Sequence, residues 1–249
     1  MQLHFIGRAD APQVLFAHGW GRTRHDFIPV AESLAGLVGS TLLDLPGFGD
    51  TPRPEGTWDT AAYAAHVHAA MVDAGRVPYV WVGHSFGGRL GLRTAVAQPD
   101  ALLGLVLVAA AGIPRRRTAW EQARARLRGA AFRWQKALAK DEAALLALEA
   151  RYGSADYVAS REAGMRDIFL ATIAEDQTRE LRRITTPTRL IWGGRDTETP
   201  PETGRRMARL IPGAGYVELP EFDHISILDR GRFQIARAVR DLALGGPGA

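Results

Sequence analysis

Tyr79-Val80-Trp81-Val82-Gly83-His84-Ser85-Phe86-Gly87-Gly88 is the stretch on which the reading of this chain turns. An apolar run of strand length enters Gly-x-Ser-x-Gly and continues into Arg89-Leu90-Gly91-Leu92-Arg93-Thr94-Ala95-Val96-Ala97-Gln98, a helix-like run. A serine at such a strand-to-helix junction sits on a sharp turn that pushes its hydroxyl out at the top of a sheet. Gly83 and Gly87 let neighbouring backbone pass close by, and the N–H of Phe86, at the helix start, is aimed toward developing negative charge. The pentapeptide alone is a common turn. Its context, strand before and helix after, makes Ser85 a candidate nucleophile.

Outward from this stretch, short apolar runs alternate with helix-like segments: Val14 to Ala17, Thr41 to Leu45, Leu103 to Val108, Arg189 to Trp192 and Tyr216 to Leu219. That order predicts parallel strands with helical crossovers, and runs such as LLGLVLV lack polar alternation, as expected when helices cover both faces of a sheet. Leu3 to Ile6 is expected to add an antiparallel edge strand. The expected fold is α/β, a doubly wound, mostly parallel sheet of about seven strands. The alternation breaks after Pro114, where a stretch to about Thr186 reads as helix with no strand. The expected organisation is therefore a core of residues 1–112 and 186–249 with a helical cap inserted at 113–185. Periodicity leaves open whether that insertion is a lid or a helical subdomain with only a packing role. The tail GGPGA is expected to be frayed.

With 249 residues, 46% hydrophobic and 23% charged, the chain suits one large domain and excludes disordered, collagen-like and coiled-coil classes. It has no cysteine, which excludes disulfide scaffolds, thiolate zinc sites and a cysteine nucleophile. The first residues, MQLHFIGRADAP, show no basic region followed by an apolar stretch of roughly 7 to 15 residues, so a cytoplasmic location is expected. No stretch approaches the roughly 20 apolar residues that span a bilayer. The net charge is +4 with arginine dominant, but no nucleic-acid motif accompanies it, and neither nucleic-acid nor membrane binding is expected.

A serine hydroxyl is a weak nucleophile that needs a base oriented in turn by an acid. Asp196 follows the apolar run TRLIW, and His224 follows YVEL, so both lie just past strand ends at the edge of the sheet that carries Ser85. The run LLGLVLV is followed by AAAGIP, without a carboxylate, which leaves Asp196 as the strand-end acid. Asp223 adjoins His224 and is read as a loop or cap residue, because sequence neighbours rarely orient one another as a triad requires. His66 and His68, two apart in a helix-like run, point in different directions, and no metal site is expected. A second oxyanion donor is assigned to the backbone N–H of Trp20, in FAHGWG at the end of an earlier strand, whose indole could also wall the pocket. Asp44 in LLDLPGFGD is expected to tie down a glycine-rich loop. Gly47-Phe48-Gly49 lacks the third glycine of a dinucleotide fingerprint.

The ordered set HGW, DLPGFG, GHSFGG, GGRD and DH resembles small cap-bearing members of the α/β-hydrolase superfamily from Val14 to Ile225. The resemblance implies Ser85 as nucleophile, His224 as base, Asp196 as orienting acid, Trp20 and Phe86 at the oxyanion hole, and no cofactor. Haloalkane dehalogenases and epoxide hydrolases of this fold place Asp at the elbow, and Ser85 argues against both. HGWG is similar to carboxylesterases of the pimeloyl-ester type, and SFGGR to the menaquinone-pathway synthase in which the matching arginine contacts a substrate carboxylate. Meta-cleavage C–C hydrolases share the layout. Arg89 is thus an anion contact or a helix-surface residue, the second being preferred, and His84 is a second possible contact or a packed neighbour of the strand.

From Arg115 to Lys140 the chain carries seven arginines and two lysines against Glu121 alone, a field that would concentrate an anionic substrate or else a solvated helix face. The expected activity is a serine esterase (carboxylesterase-like) or thioesterase acting on a small-molecule substrate that could be anionic. The alternatives are a C–C hydrolase or lyase/synthase using the same triad on a carboxylate-bearing substrate, and a non-catalytic ligand-binding protein. Oligomeric state leaves no mark on the sequence.

Overall fold

Side-chain alternation along Tyr79–His84 divides the interior in two. A computed structural model describes residues 1–246 and places this strand, β4, in the middle of a seven-stranded sheet. The strands are β1 (Leu3–Gly7), β2 (Gln13–Ala17), β3 (Gly39–Leu43), β4, β5 (Leu102–Val108), β6 (Thr188–Gly193) and β7 (Gly215–Leu219), in the order β1-β3-β2-β4-β5-β6-β7. Only β1 runs antiparallel, pairing Leu3 with Leu43 and Gly7 with Gly39. Successive strand side chains point to opposite faces. Tyr79 and Trp81 therefore join one core with α2 (Thr60–Asp73), α3 (Phe86–Ala97) and, later in the chain, the helix Pro201–Leu210, while Val80 and Val82 join the other. That second core is covered by α1 (Ile28–Ser33) and by the C-terminal helix Arg232–Ala243. Trp81 and Trp192 are fully buried, and burial of each large apolar side chain contributes about 1.5–3 kcal/mol.

β3 begins and ends two residues earlier than the apolar run Thr41 to Leu45 suggested. Leu45 donates its N–H to His18 Nε2 at 2.9 Å, and Pro46, with no N–H to offer, cannot extend a ladder. The glycine-rich loop that follows is tied down as expected. Asp44 accepts from the backbone N–H groups of Arg24 at 2.7 Å and Asp50 at 3.1 Å and is ion-paired with Arg24.

Between β5 and β6 lie four helices, α4 (Ala119–Ala137), α5 (Glu142–Tyr152), α6 (Ala155–Glu162) and α7 (Arg166–Ala174). Buried Glu149 holds α5 to its neighbours through Arg166 at 3.1 Å and Arg161 at 3.2 Å. The exit of α7 is fastened to α3: Arg89 donates to the carbonyls of Thr172 at 2.6 Å and Glu175 at 3.2 Å, and Arg93 pairs with Glu175 at 2.7 Å. Three helices complete the fold after β6: α8 (Pro201–Leu210), α9 (Ser226–Arg230) and α10 (Arg232–Ala243). Of the tail expected to fray, Pro247, Gly248 and Ala249 lie outside the described residues. Among the described residues no helix is long and apolar enough to cross a membrane.

Candidate active site

The strand order reverses between β2 and β4, and in open α/β sheets the crevice at the carboxyl ends of such strands is where ligands sit. Gly19 and Trp20 leave β2 there and Ser85 leaves β4. Ser85 adopts φ 48° and ψ −107°, a conformation rare for any residue with a Cβ, and this strain turns its side chain out of the sheet. The turn is held by Ser85 N–H donating to Val108 O at 3.1 Å and by Gly87 N–H donating to His18 O at 3.1 Å. A Cβ at Gly87 would be driven into the backbone oxygen of Ala17. Gly87→Ala is therefore expected to destabilise the fold by about 1–3 kcal/mol in thermal unfolding, as overpacking does. An unchanged Tm would show the turn to be looser than this.

The start of α3 and the β2 exit carry the two backbone N–H groups expected to face an oxyanion. Among the described residues neither the Phe86 N–H nor the Trp20 N–H finds an acceptor. A Cβ on Gly19 would lie 3.4 Å from Ser85 Cβ and 2.7 Å from His84 Nδ1, so the loop carrying Trp20 crosses directly over the serine, and only glycine permits it. The Trp20 ring packs edge-on against Phe86 at 5.3 Å and Phe169 of α7 at 5.0 Å. It is thus both a wall of the crevice and a contact to the inserted helices.

From the other side of the sheet centre, β6 and β7 deliver Asp196 and His224. His224 Nδ1–H donates to Asp196 Oδ2 at 2.7 Å, which leaves Nε2 as the ring nitrogen on the cavity side. Asp196, almost fully buried, also accepts at Oδ1 from the N–H groups of Glu198 at 2.9 Å and Thr199 at 2.8 Å. Thr199 Oγ1 sits 2.9 Å from Asp196 Oδ2 and 3.0 Å from Ala109 O, bracing the carboxylate. Ser85, His84 and His224 line one cavity of about 260 Å³ together with Trp20, Asp156 and Glu198. Among the described residues the Ser85 hydroxyl makes no hydrogen bond, and His224 Nε2 faces Glu198 Oε2 at 3.4 Å.

The two candidate contact residues fare differently. His84 donates Nε2–H to the His224 carbonyl at 2.9 Å, fixing the loop that carries His224, while its Nδ1 is buried without a partner. Burial, with His224 beside it, pushes its pKa well below 6.5, so the ring is neutral. Arg89 is corrected on both of its expected readings: it is neither on the helix surface nor in the crevice. Only 9% exposed, it reaches from α3 to the end of α7, where its Nη1 donates to two carbonyls. His66 and His68 diverge, the first against the Trp58 ring at 5.1 Å and the second 3.3 Å from Tyr79 Oη.

Three charged residues of the cavity had not been singled out in the sequence. Arg22 is ion-paired with Asp26. Glu198 follows Asp196 by two residues, a signal that was available. Asp156 comes from α6, and nothing in its sequence surroundings marks it. Desolvation raises the Asp156 pKa, opposed only by His224, and no cation pairs with it among the described residues. For a carboxyl whose folded pKa is raised, ionisation costs stability as pH climbs through and above its ordinary 3.8. Asp156→Asn is therefore expected to raise Tm at pH 7, with the gain shrinking as pH falls toward 4. A loss of Tm at pH 7 would mean that the carboxylate has a stabilising partner.

Residues 14–238 match the alpha/beta hydrolase family. A pimeloyl-[acyl-carrier protein] methyl ester esterase of Chromobacterium violaceum is 31% identical, the match covering 92% of this chain and 93% of that one. An enol-lactonase from Burkholderia xenovorans is similar in structure with a TM-score of 0.70 at 25% identity, over 97% of this chain and 95% of that one. A thermophilic esterase from Thermogutta terrifontis gives a TM-score of 0.72 over 97% of this chain and 93% of that one, and at 23% identity it speaks to the fold alone.

Proposed function

The chain belongs to the alpha/beta hydrolase family, and we propose that it hydrolyses the ester of a small substrate through an acyl-enzyme on Ser85. The observation that carries this reading is the meeting, at one cavity, of Ser85, Trp20 and the imidazole of His224 held by Asp196. His224 Nε2 takes the hydroxyl proton as Ser85 Oγ attacks the ester carbonyl, then returns it to the departing alcohol. Asp196 holds the imidazolium while Phe86 N–H and Trp20 N–H stabilise the tetrahedral oxyanion. Water, activated by the same imidazole, then releases the acid. In this cycle the Ser85–His224 hydrogen bond forms when substrate enters, His224 Nε2 turning from Glu198 to the serine.

A small cavity with walls from Trp20, Ala155, Ala159 and Ile225 suits a short acyl or alcohol group. Its cation is already paired with Asp26, whereas Asp156 has no cation beside it among the described residues and Glu198 adds a second carboxylate to the wall. This balance favours a neutral ester over the anionic one that the basic insertion suggested. The relative from C. violaceum is named for a methyl ester carried on an acyl-carrier protein, and a small alcohol leaving group fits the same cavity here. The helices α4 to α7 act in this reading as a cap over the crevice, fastened by Arg89 and Arg93. The C–C cleavage alternative needed Arg89 beside the substrate, and its engagement with Thr172 and Glu175 removes that support.

The direct test combines intact-mass analysis after fluorophosphonate treatment with turnover of short-chain p-nitrophenyl and methyl esters. A single adduct mapping to Ser85, with ester turnover, is expected. No adduct and no turnover in folded protein would refute the proposal, and an adduct without ester turnover would refute the substrate class alone.

A further inference from the structure

We propose that α4 is an interfacial helix that lays this protein on an anionic phospholipid surface. The helix spans 19 residues and none of its side chains is buried, although it carries two tryptophans. At about 1.5 Å per residue it runs roughly 28 Å across the outside of the molecule. Trp120, Leu127 and Trp134 recur every seven residues, and Leu138 closes the helix four residues later. At about 100° per residue this spacing puts all four on one stripe. They are 71%, 70%, 67% and 58% exposed.

The opposite face is the one that packs. Phe132 lies 5.6 Å, ring to ring, from Tyr152, and Gln135 donates to Tyr152 Oη at 3.0 Å. The apolar stripe therefore points directly away from the protein. Arginines flank it on both sides, Arg126 and Arg133 along one edge and Arg124 along the other, while Arg128 folds back onto the carbonyl of Arg151 at 3.0 Å. Glu121, the only acid between Arg115 and Lys140, lies 3.9 Å from Arg115, while Arg124, Arg126 and Arg133 have no ion-pair partner among the described residues. A solvated helix face explains the arginines. It does not explain two tryptophans and two leucines standing in water between them.

A fluid bilayer fits this stripe better than the other occupants. The stripe is a convex ridge, so an acidic protein would need a matching groove, whereas lipid headgroups part around it. A second copy of the chain would bring its own excess of positive charge to the contact. Indole rings settle at the headgroup level, and the long arginine stems reach back to phosphate while the apolar stripe sinks below. No described helix crosses the membrane, so the contact lies along the surface.

The test is co-sedimentation with vesicles of phosphatidylglycerol and phosphatidylcholine, against vesicles of phosphatidylcholine alone, for wild type, Trp120→Ala/Trp134→Ala and Arg124→Gln/Arg126→Gln/Arg133→Gln. Partition is expected to be at least ten-fold stronger on the anionic vesicles and to fall at least ten-fold in each variant, with soluble-ester turnover unchanged. In wild type, brominated acyl chains are expected to quench tryptophan emission, a result that does not depend on the variants folding. Absence of partition would overturn the proposal and leave an acidic protein as the occupant. Partition that survives loss of both tryptophans, without quenching, would reduce it to charge adsorption. A dimer of wild type that the tryptophan variant loses would assign the stripe to a second copy.

Discussion

Ser85→Ala is expected to lower kcat/KM for a p-nitrophenyl ester by a factor on the order of 10⁴ to 10⁶ while leaving the fold intact. The size follows from the role: without the hydroxyl there is no acyl-enzyme, and only the oxyanion donors and the cavity remain to assist direct attack by water. The fold should survive because the Ser85 hydroxyl makes no hydrogen bond among the described residues, so its loss orphans no partner. The backbone strain at φ 48° stays, since alanine keeps the Cβ. Ser85→Gly relieves it, and should match the activity loss while raising stability by about 1 kcal/mol. Turnover of Ser85→Ala within tenfold of wild type would end the nucleophile assignment. Equal stability of the alanine and glycine variants would mean that the turn is not strained.

Asp196→Asn should cost about 10⁴ in kcat at neutral pH with KM little changed. The amide oxygen can still accept from the N–H groups of Glu198 and Thr199, so the loop keeps its shape. The amide nitrogen then faces His224 Nδ1, which must become an acceptor, and the ring proton moves to Nε2, where it blocks removal of the serine proton. Fluorophosphonate labelling should slow in parallel. Glu198 supplies a sharp control because its carboxylate stands 3.4 Å from the other ring nitrogen. If Glu198→Gln proved the costly change and Asp196→Asn the mild one, the roles of the two carboxylates would be exchanged.

The candidate site was legible where backbone conformation and side-chain type coincide in a few consecutive residues. Ser85 stands out because a strand, two glycines and a helix surround it, and Asp196 and His224 because each follows an apolar strand run. Asp156 was silent, since a carboxylate on a polar helix looks alike whether it faces water or a crevice. Arg89 was misread for a related reason: helical spacing gives the face a side chain leaves from, and the position of α7 decides what it meets.

Local pattern by itself therefore determined the sheet, its parallel strands and the placing of Ser85, Asp196 and His224 just past strand ends, because hydrophobic periodicity and turn chemistry act over a few residues. Tertiary structure alone decided which carboxylates enter the cavity, that Arg89 and Arg93 fasten the end of α7 to α3, and that the apolar stripe of α4 faces outward. Those outcomes depend on the packing of segments far apart in sequence, where the partner a side chain finds is set by the summed burial of whole elements.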